Sequence, residues 1–311
     1  MTGYEGLRAD AAWIDLSARG KIRVSGDDRA RLIHAMSTNH VQSLQPGEGL
    51  YTFFLTSQGR ILGDANIYNL GDTLFLDTEP ETAAKLRDHL DKYIIADDAT
   101  LEDETEKWAA IGVEGPESLE AAVKLEIVLP ERKYSVIEWR GGFVSRAAST
   151  GPEGVRIFVS QNEKSALVEQ LLELGIPSAN AAEARIVRLE NGIPRYGEDI
   201  SERYLVQETG VMHAVHLNKG CYLGQEIVER VRSRAQIHRV LMPVRIQGDI
   251  SPVPGTKFSV DGKDVAELTS AAFSPAFGEV VGLAYVRTEA TREKPRMIVK
   301  DSDPAVSAQI V

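Results

Sequence analysis

The sequence changes character at Val240, and that switch limits the possible folds more than any other feature. Before it, strand-like runs alternate with amphipathic helical ones. Residues 51–55 read as a strand, 57–60 as a turn, and 61–70 and 73–77 as strands around a Gly71-Asp72 hairpin signal. Segment 81–93 places Leu86, Leu90 and Tyr93 at helical spacing. Residues 108–113 and 155–159 read as further strands, and 164–174 and 181–191 as helices closed by Gly175 and Gly192. After Val240 only short strands remain, at 241–246, 257–260, 265–269 and 280–285, separated by Gly/Pro turns such as Asp261-Gly262. The pattern predicts an α+β body over residues 1–239, in two subdomains, and a β-barrel domain over 240–311. A chain of 311 residues also exceeds what one compact core accommodates.

Charge and cysteine usage narrow the function classes. A formal net charge of −11 argues against a direct nucleic-acid or membrane-surface role, which calls for spread positive charge. One cysteine, Cys221, excludes an intrachain disulfide and any metal or cluster site built from several cysteines of this chain. No run approaches the roughly 20 apolar residues that span a bilayer, and residues 1–17 lack the pattern of a secretory or transit segment. The expected location is therefore the cytoplasm. No dinucleotide fingerprint, phosphate loop, zinc-protease or hydrolase-elbow motif is present. His213 and His216 lie three apart, half a metal site at best, so their expected role is structural and no metal is expected.

The neighbourhood of Cys221 is the feature that points to chemistry. Lys219 lies two residues before the thiol, and residues 223–228 read as entry into a helix. A cation and a helix N-terminus both favour thiolate. The bland alternative, a small buried thiol, carries equal weight on spacing alone. Residues 219–239 carry a net +3, leaving −14 on the rest of the chain. Such an island suits docking of a small acidic ligand, and 230–239 also reads as the linker into the barrel.

The run Lys219-Gly220-Cys221-Tyr222-Leu223-Gly224-Gln225-Glu226 resembles the K-G-C-[FY]-x-G-Q-E signature of the YgfZ family, relatives of the glycine-cleavage T-protein. Residues 188–200, including Gly192, Pro194, Tyr196, Gly197 and Asp199, are similar to a block shared with T-proteins. Gln207-Glu208-Thr209-Gly210 resembles the step whose glutamate is expected near a pterin. Gly59 to Asp64 resembles the T-protein turn whose second aspartate acts in methylene transfer, with Tyr68 matching a folate-lining aromatic.

The resemblance implies T-protein-like folate-binding domains around a central cavity, followed by a β-barrel. It implies tetrahydrofolate as cofactor and iron–sulfur client proteins or their assembly machinery as partners. It implies Cys221, Lys219 and Asp64 as reactive groups, and Tyr68, Glu208, Arg230, Gln225 and Tyr196 as cofactor contacts. The function implied is support of iron–sulfur protein assembly or repair, including enzymes that modify tRNA. The alternative is a T-protein-type aminomethyltransferase or a folate-dependent demethylase. Gly63 stands where T-proteins carry another acid, and Cys221 where they carry no cysteine, which favours the YgfZ branch.

Overall fold

A computed structural model describes residues 1–234, 237–300, 302 and 305–311. Two antiparallel five-stranded sheets form the body. The first runs Gly49–Leu55, Ile61–Asn69, Leu74–Thr78, Gly20–Ser25, Thr100–Asp103 in spatial order. The second runs Ala12–Asp15, Trp108–Glu114, Gly154–Ser160, Gly142–Ser145, Val136–Trp139. The C-terminal region closes a six-stranded barrel, because Ser307–Ile310 returns to pair with Arg239–Ile246.

Strand alternation decides what each face of the first sheet does. On Ile61–Asn69, Ala65 and Ile67 pack under helices Arg29–Met36 and Ala83–Asp91, against Leu32, Ile33, Leu86 and Leu90. Asp64, Asn66 and Tyr68 fall on the opposite face, toward the second sheet. There Tyr68 and Phe75 meet Phe143 and Phe158 edge-on, with Phe143 and Phe158 stacked at 4.5 Å between centroids. Burying each such ring contributes roughly 1.5–3 kcal/mol. Beside them Asp77 pairs with Arg156 of the second sheet and with Arg19, whose Nε donates at 2.6 Å. The two sheets are thus joined by an aromatic layer and by one ionic cluster.

The barrel is tied to the body by a second buried carboxylate. Asp199 accepts from Arg188 at 2.7 Å, from the Arg195 N–H at 3.0 Å and from the hydroxyls of Thr269 and Ser270 on the barrel. Residues up to Arg234 belong to the helix Gln225–Arg234, so the segment read as a linker is helical over its first half. Val228 is buried in that helix, and its apolar contact outweighs the arginine-rich composition. No helix among the described residues is long and apolar enough to cross a membrane.

Candidate active site

Asp64 sits on the polar face of its strand, opposite Phe53 in register. Phe53 and Tyr51 alternate onto the same face, which brings the Tyr51 hydroxyl to Asp64 Oδ2, donating at 2.6 Å. The other oxygen, Oδ1, is buried and has no partner. Burial, with the nearby Glu79 carboxylate, pushes the Asp64 carboxyl up to about 7, against the opposing pull of the Tyr51 hydrogen bond. Burial, followed by Asp64, in turn holds the Tyr51 hydroxyl well above its ordinary range. A carboxyl that titrates near neutrality, with one oxygen unengaged, can hold or release a proton there.

A network of ions surrounds this pair. Glu79 bridges Arg19 and Arg195, the latter at 2.9 Å, and Arg195 also reaches Glu81 at 2.6 Å. The half-buried Tyr51 ring is tilted against the exposed His213 at 5.6 Å. Tyr196 stands behind it, its hydroxyl donating to the Leu62 carbonyl at 2.6 Å. Of the residues singled out by sequence, the structure brings together Asp64 and Tyr196. Tyr51, Glu79, Arg19 and Arg195 were not anticipated, although strand alternation alone could have placed Tyr51 on the face of Phe53.

The other expected contacts lie elsewhere. Tyr68 is fully enclosed by Phe75, Phe143 and Phe158, so it presents no surface to a ligand. The region between the sheets at that depth is filled by rings. Glu208 closes its own turn, accepting from the Leu205 N–H at 2.9 Å, and pairs with Arg239 at 2.8 Å. Arg230 is exposed and spans one helical turn to Glu226. Gln225 accepts from the Tyr222 N–H at 3.3 Å, an intraloop contact.

The loop 219–224 has an unexpected architecture. The Lys219 ammonium does not serve the thiol; it is buried and donates to the carbonyls of His34, Ser37 and Asn39. These carbonyls close the C-terminus of helix Arg29–Met36, where a cation is favoured. The Leu223 N–H donates to Ala35 of the same helix at 3.0 Å. Burial lowers Lys219 to about 7. Cys221, by contrast, is free and exposed. Gly224 has φ +83°, and a Cβ there would lie 2.7 Å from the Thr56 carbonyl. Gly224→Ala is expected to cost at least about 2 kcal/mol, measured by urea unfolding; a cost below roughly 0.5 kcal/mol would contradict this packing.

His34, His40 and His216 form an edge-to-face row with centroids 4.8 and 5.0 Å apart. Burial and the adjacent Lys219 lower His34 to about 4. Among the described residues, no group of three or more His, Cys, Asp or Glu side chains is arranged to hold a metal.

Two sheets, a carboxyl on their polar face and a closed C-terminal barrel define a mixed α/β protein of T-protein architecture. Residues 3–219 match the GCVT N-terminal domain, and residues 239–311 match the glycine cleavage T-protein C-terminal barrel domain. The chain belongs to the glycine cleavage T-protein family. It is 30% identical to a chloroplastic Arabidopsis thaliana protein named as a transferase, over 89% of this chain and 65% of that one. It is 28% identical to the aminomethyltransferase of Rubrobacter xylanophilus, over 92% of this chain and 78% of that one. The chain thus spans a little under two thirds of the Arabidopsis protein's length. A solved structure, the glycine cleavage system aminomethyltransferase T of Bartonella henselae, superposes with a TM-score of 0.90 at 19% identity, covering 99% of this chain and 87% of that one. That likeness is one of fold.

Proposed function

We propose that this chain binds tetrahydrofolate beside Asp64 and acts as a folate-dependent one-carbon transferase of the T-protein type. The observation that carries the reading is the buried, unpartnered Asp64 Oδ1 on a carboxyl held near neutrality. An orphaned acceptor of that kind costs free energy unless a ligand or a proton engages it. The residues present fit the cofactor in that Asp64 and Tyr51 offer polar contacts at the buried end, while Arg195 is held by Glu79 and Glu81. When bound, tetrahydrofolate supplies the nitrogens that accept a one-carbon unit. Asp64 holds the proton at Oδ1, Tyr51 fixes the carboxyl through Oδ2, and Glu79 raises its proton affinity. The relatives named aminomethyltransferases support this reading over the iron–sulfur one. Titration with tetrahydrofolate, followed by the fluorescence of Trp108 in the aromatic layer, tests it. Saturable quenching at micromolar ligand is expected, and none at high micromolar concentration would overturn it.

One observation favours a second reading. The Lys219–Gly224 loop is fastened on both sides while Cys221 between them is exposed. That arrangement suits the maintenance of iron–sulfur proteins associated with the YgfZ branch, with the thiol presented to a partner protein. A cluster needs about four protein ligands, so the partner would supply the others. Cys221→Ser is expected to leave stability within about 0.5 kcal/mol of the parent and to abolish complementation of an iron–sulfur maintenance defect. Full complementation by the serine variant would remove this role.

A further inference from the structure

The barrel carries a second candidate site on its outer face, remote in sequence from the Asp64 strand. A groove of about 460 Å³ lies where the 237–239 segment enters the barrel, bordered by His238, Arg239, Lys257, Glu267, Tyr285 and Arg287. That volume lies within the range of small-molecule sites.

Three observations indicate what the groove takes. The first is an unsatisfied donor: Tyr285 is 3% exposed, yet its hydroxyl has no partner. Its ring is stacked on Tyr204 at 3.7 Å, which fixes the side chain. A buried hydroxyl left unpaired is costly and calls for an acceptor. The second is a like-charge pair: Arg239 and Arg287 stand directly opposite one another in the barrel ladder. Opposed like charges destabilise a sheet unless an anion lies between them. Glu208 engages Arg239 only through Nε, and the guanidinium lies over the Tyr204 and Tyr285 rings at 4.9 and 5.4 Å. The third is that two of the three acids lining the groove, Glu267 and Asp264, already have cations, which leaves Glu289 at its edge. Glu267 is held by Arg203 at 2.6 Å and by Lys257, and Asp264 by Lys300 at 3.2 Å.

We infer that this groove binds a small molecule with an oxyanion head, a carboxylate or a phosphate, received by Tyr285, Arg239 and Arg287. The Tyr285 O–H donates to the head group, and the two guanidinium groups flank it. The inference does not depend on the Asp64 reading.

Calorimetric titration of the full chain with inorganic phosphate and, separately, with glutarate tests it. One of the two is expected to bind with a Kd below about 1 mM, and whichever binds identifies the head group. Arg287→Gln, an exposed change that leaves the fold intact, is expected to weaken that binding at least tenfold. Tyr285→Phe should weaken it severalfold and, without anions, raise Tm by removing the unpaired hydroxyl. Absence of binding by both probes at 10 mM would overturn the site. So would equal binding in the parent and both variants, which would assign the effect to general surface charge.

Discussion

Asp64→Asn is expected to lower one-carbon transfer to tetrahydrofolate by about 10²–10⁴-fold while making the protein more stable above pH 7. The loss follows from removing the carboxyl that titrates near neutrality at the site. The gain follows from linkage. The native carboxyl titrates at about 7 and the ordinary value is 3.8, so between those pH values the folded state retains a proton that the unfolded chain has released. Stability of the parent therefore falls as pH rises through this window. Asparagine does not titrate, so its advantage should be near zero at pH 4 and grow to at most roughly 4 kcal/mol by pH 8. Urea unfolding at the two pH values, together with detection of methylene-tetrahydrofolate release from an aminomethylated lipoyl carrier, checks both halves. A variant as active as the parent would remove Asp64 from the chemistry. A variant less stable than the parent at pH 8 would contradict its environment.

Asp77→Asn should be among the most damaging single changes in the molecule, at about 3–5 kcal/mol near neutral pH. Asp77 is wholly buried between Arg156 and Arg19 and also accepts from Asn66 at 3.1 Å. The amide would leave the buried Arg156 guanidinium without its counter-charge and Arg19 with Glu79 alone. Burial alone would raise this carboxyl, but the two arginines prevail and hold it down at about 2. Its contribution is thus present above about pH 4 and is lost as pH falls toward 2. The gap in urea midpoint between parent and variant should narrow over that acid range. A constant gap would mean that the asparagine acts through shape rather than charge.

The long elements were legible because their periodicity is local. The helices Ala83–Asp91 and Ala181–Glu190 and the strands Ile61–Asn69 and Gly154–Ser160 all fall where apolar spacing and turn residues place them. The strands Ala12–Asp15, Val136–Trp139 and Gly142–Ser145 were not visible. Each has four residues, too few to show a period; Ala12–Asp15 joins its sheet only through the distant Trp108–Glu114, while Val136–Trp139 and Gly142–Ser145 form a short local hairpin. Asp64 was legible through its motif and Tyr51 was not. Their meeting depends on the register of a strand pair that carries an irregularity between Phe54 and Leu55, and no local pattern encodes that register. Lys219 shows the opposite case. Its spacing from Cys221 suggested a chemical partnership, but the three carbonyls that claim it lie about 180 residues earlier.

That arrangement also bears on how Cys221 would meet another molecule. A sulfur on a slack loop must be immobilised at each encounter, and the entropy lost is subtracted from the affinity. Here the ordering has been completed during folding, through a lysine anchored on a helix end and a glycine wedged against a turn. A visitor approaching this thiol finds it already positioned. Grafted onto a host lacking those helix-end carbonyls, the same eight letters would be expected to lose that advantage.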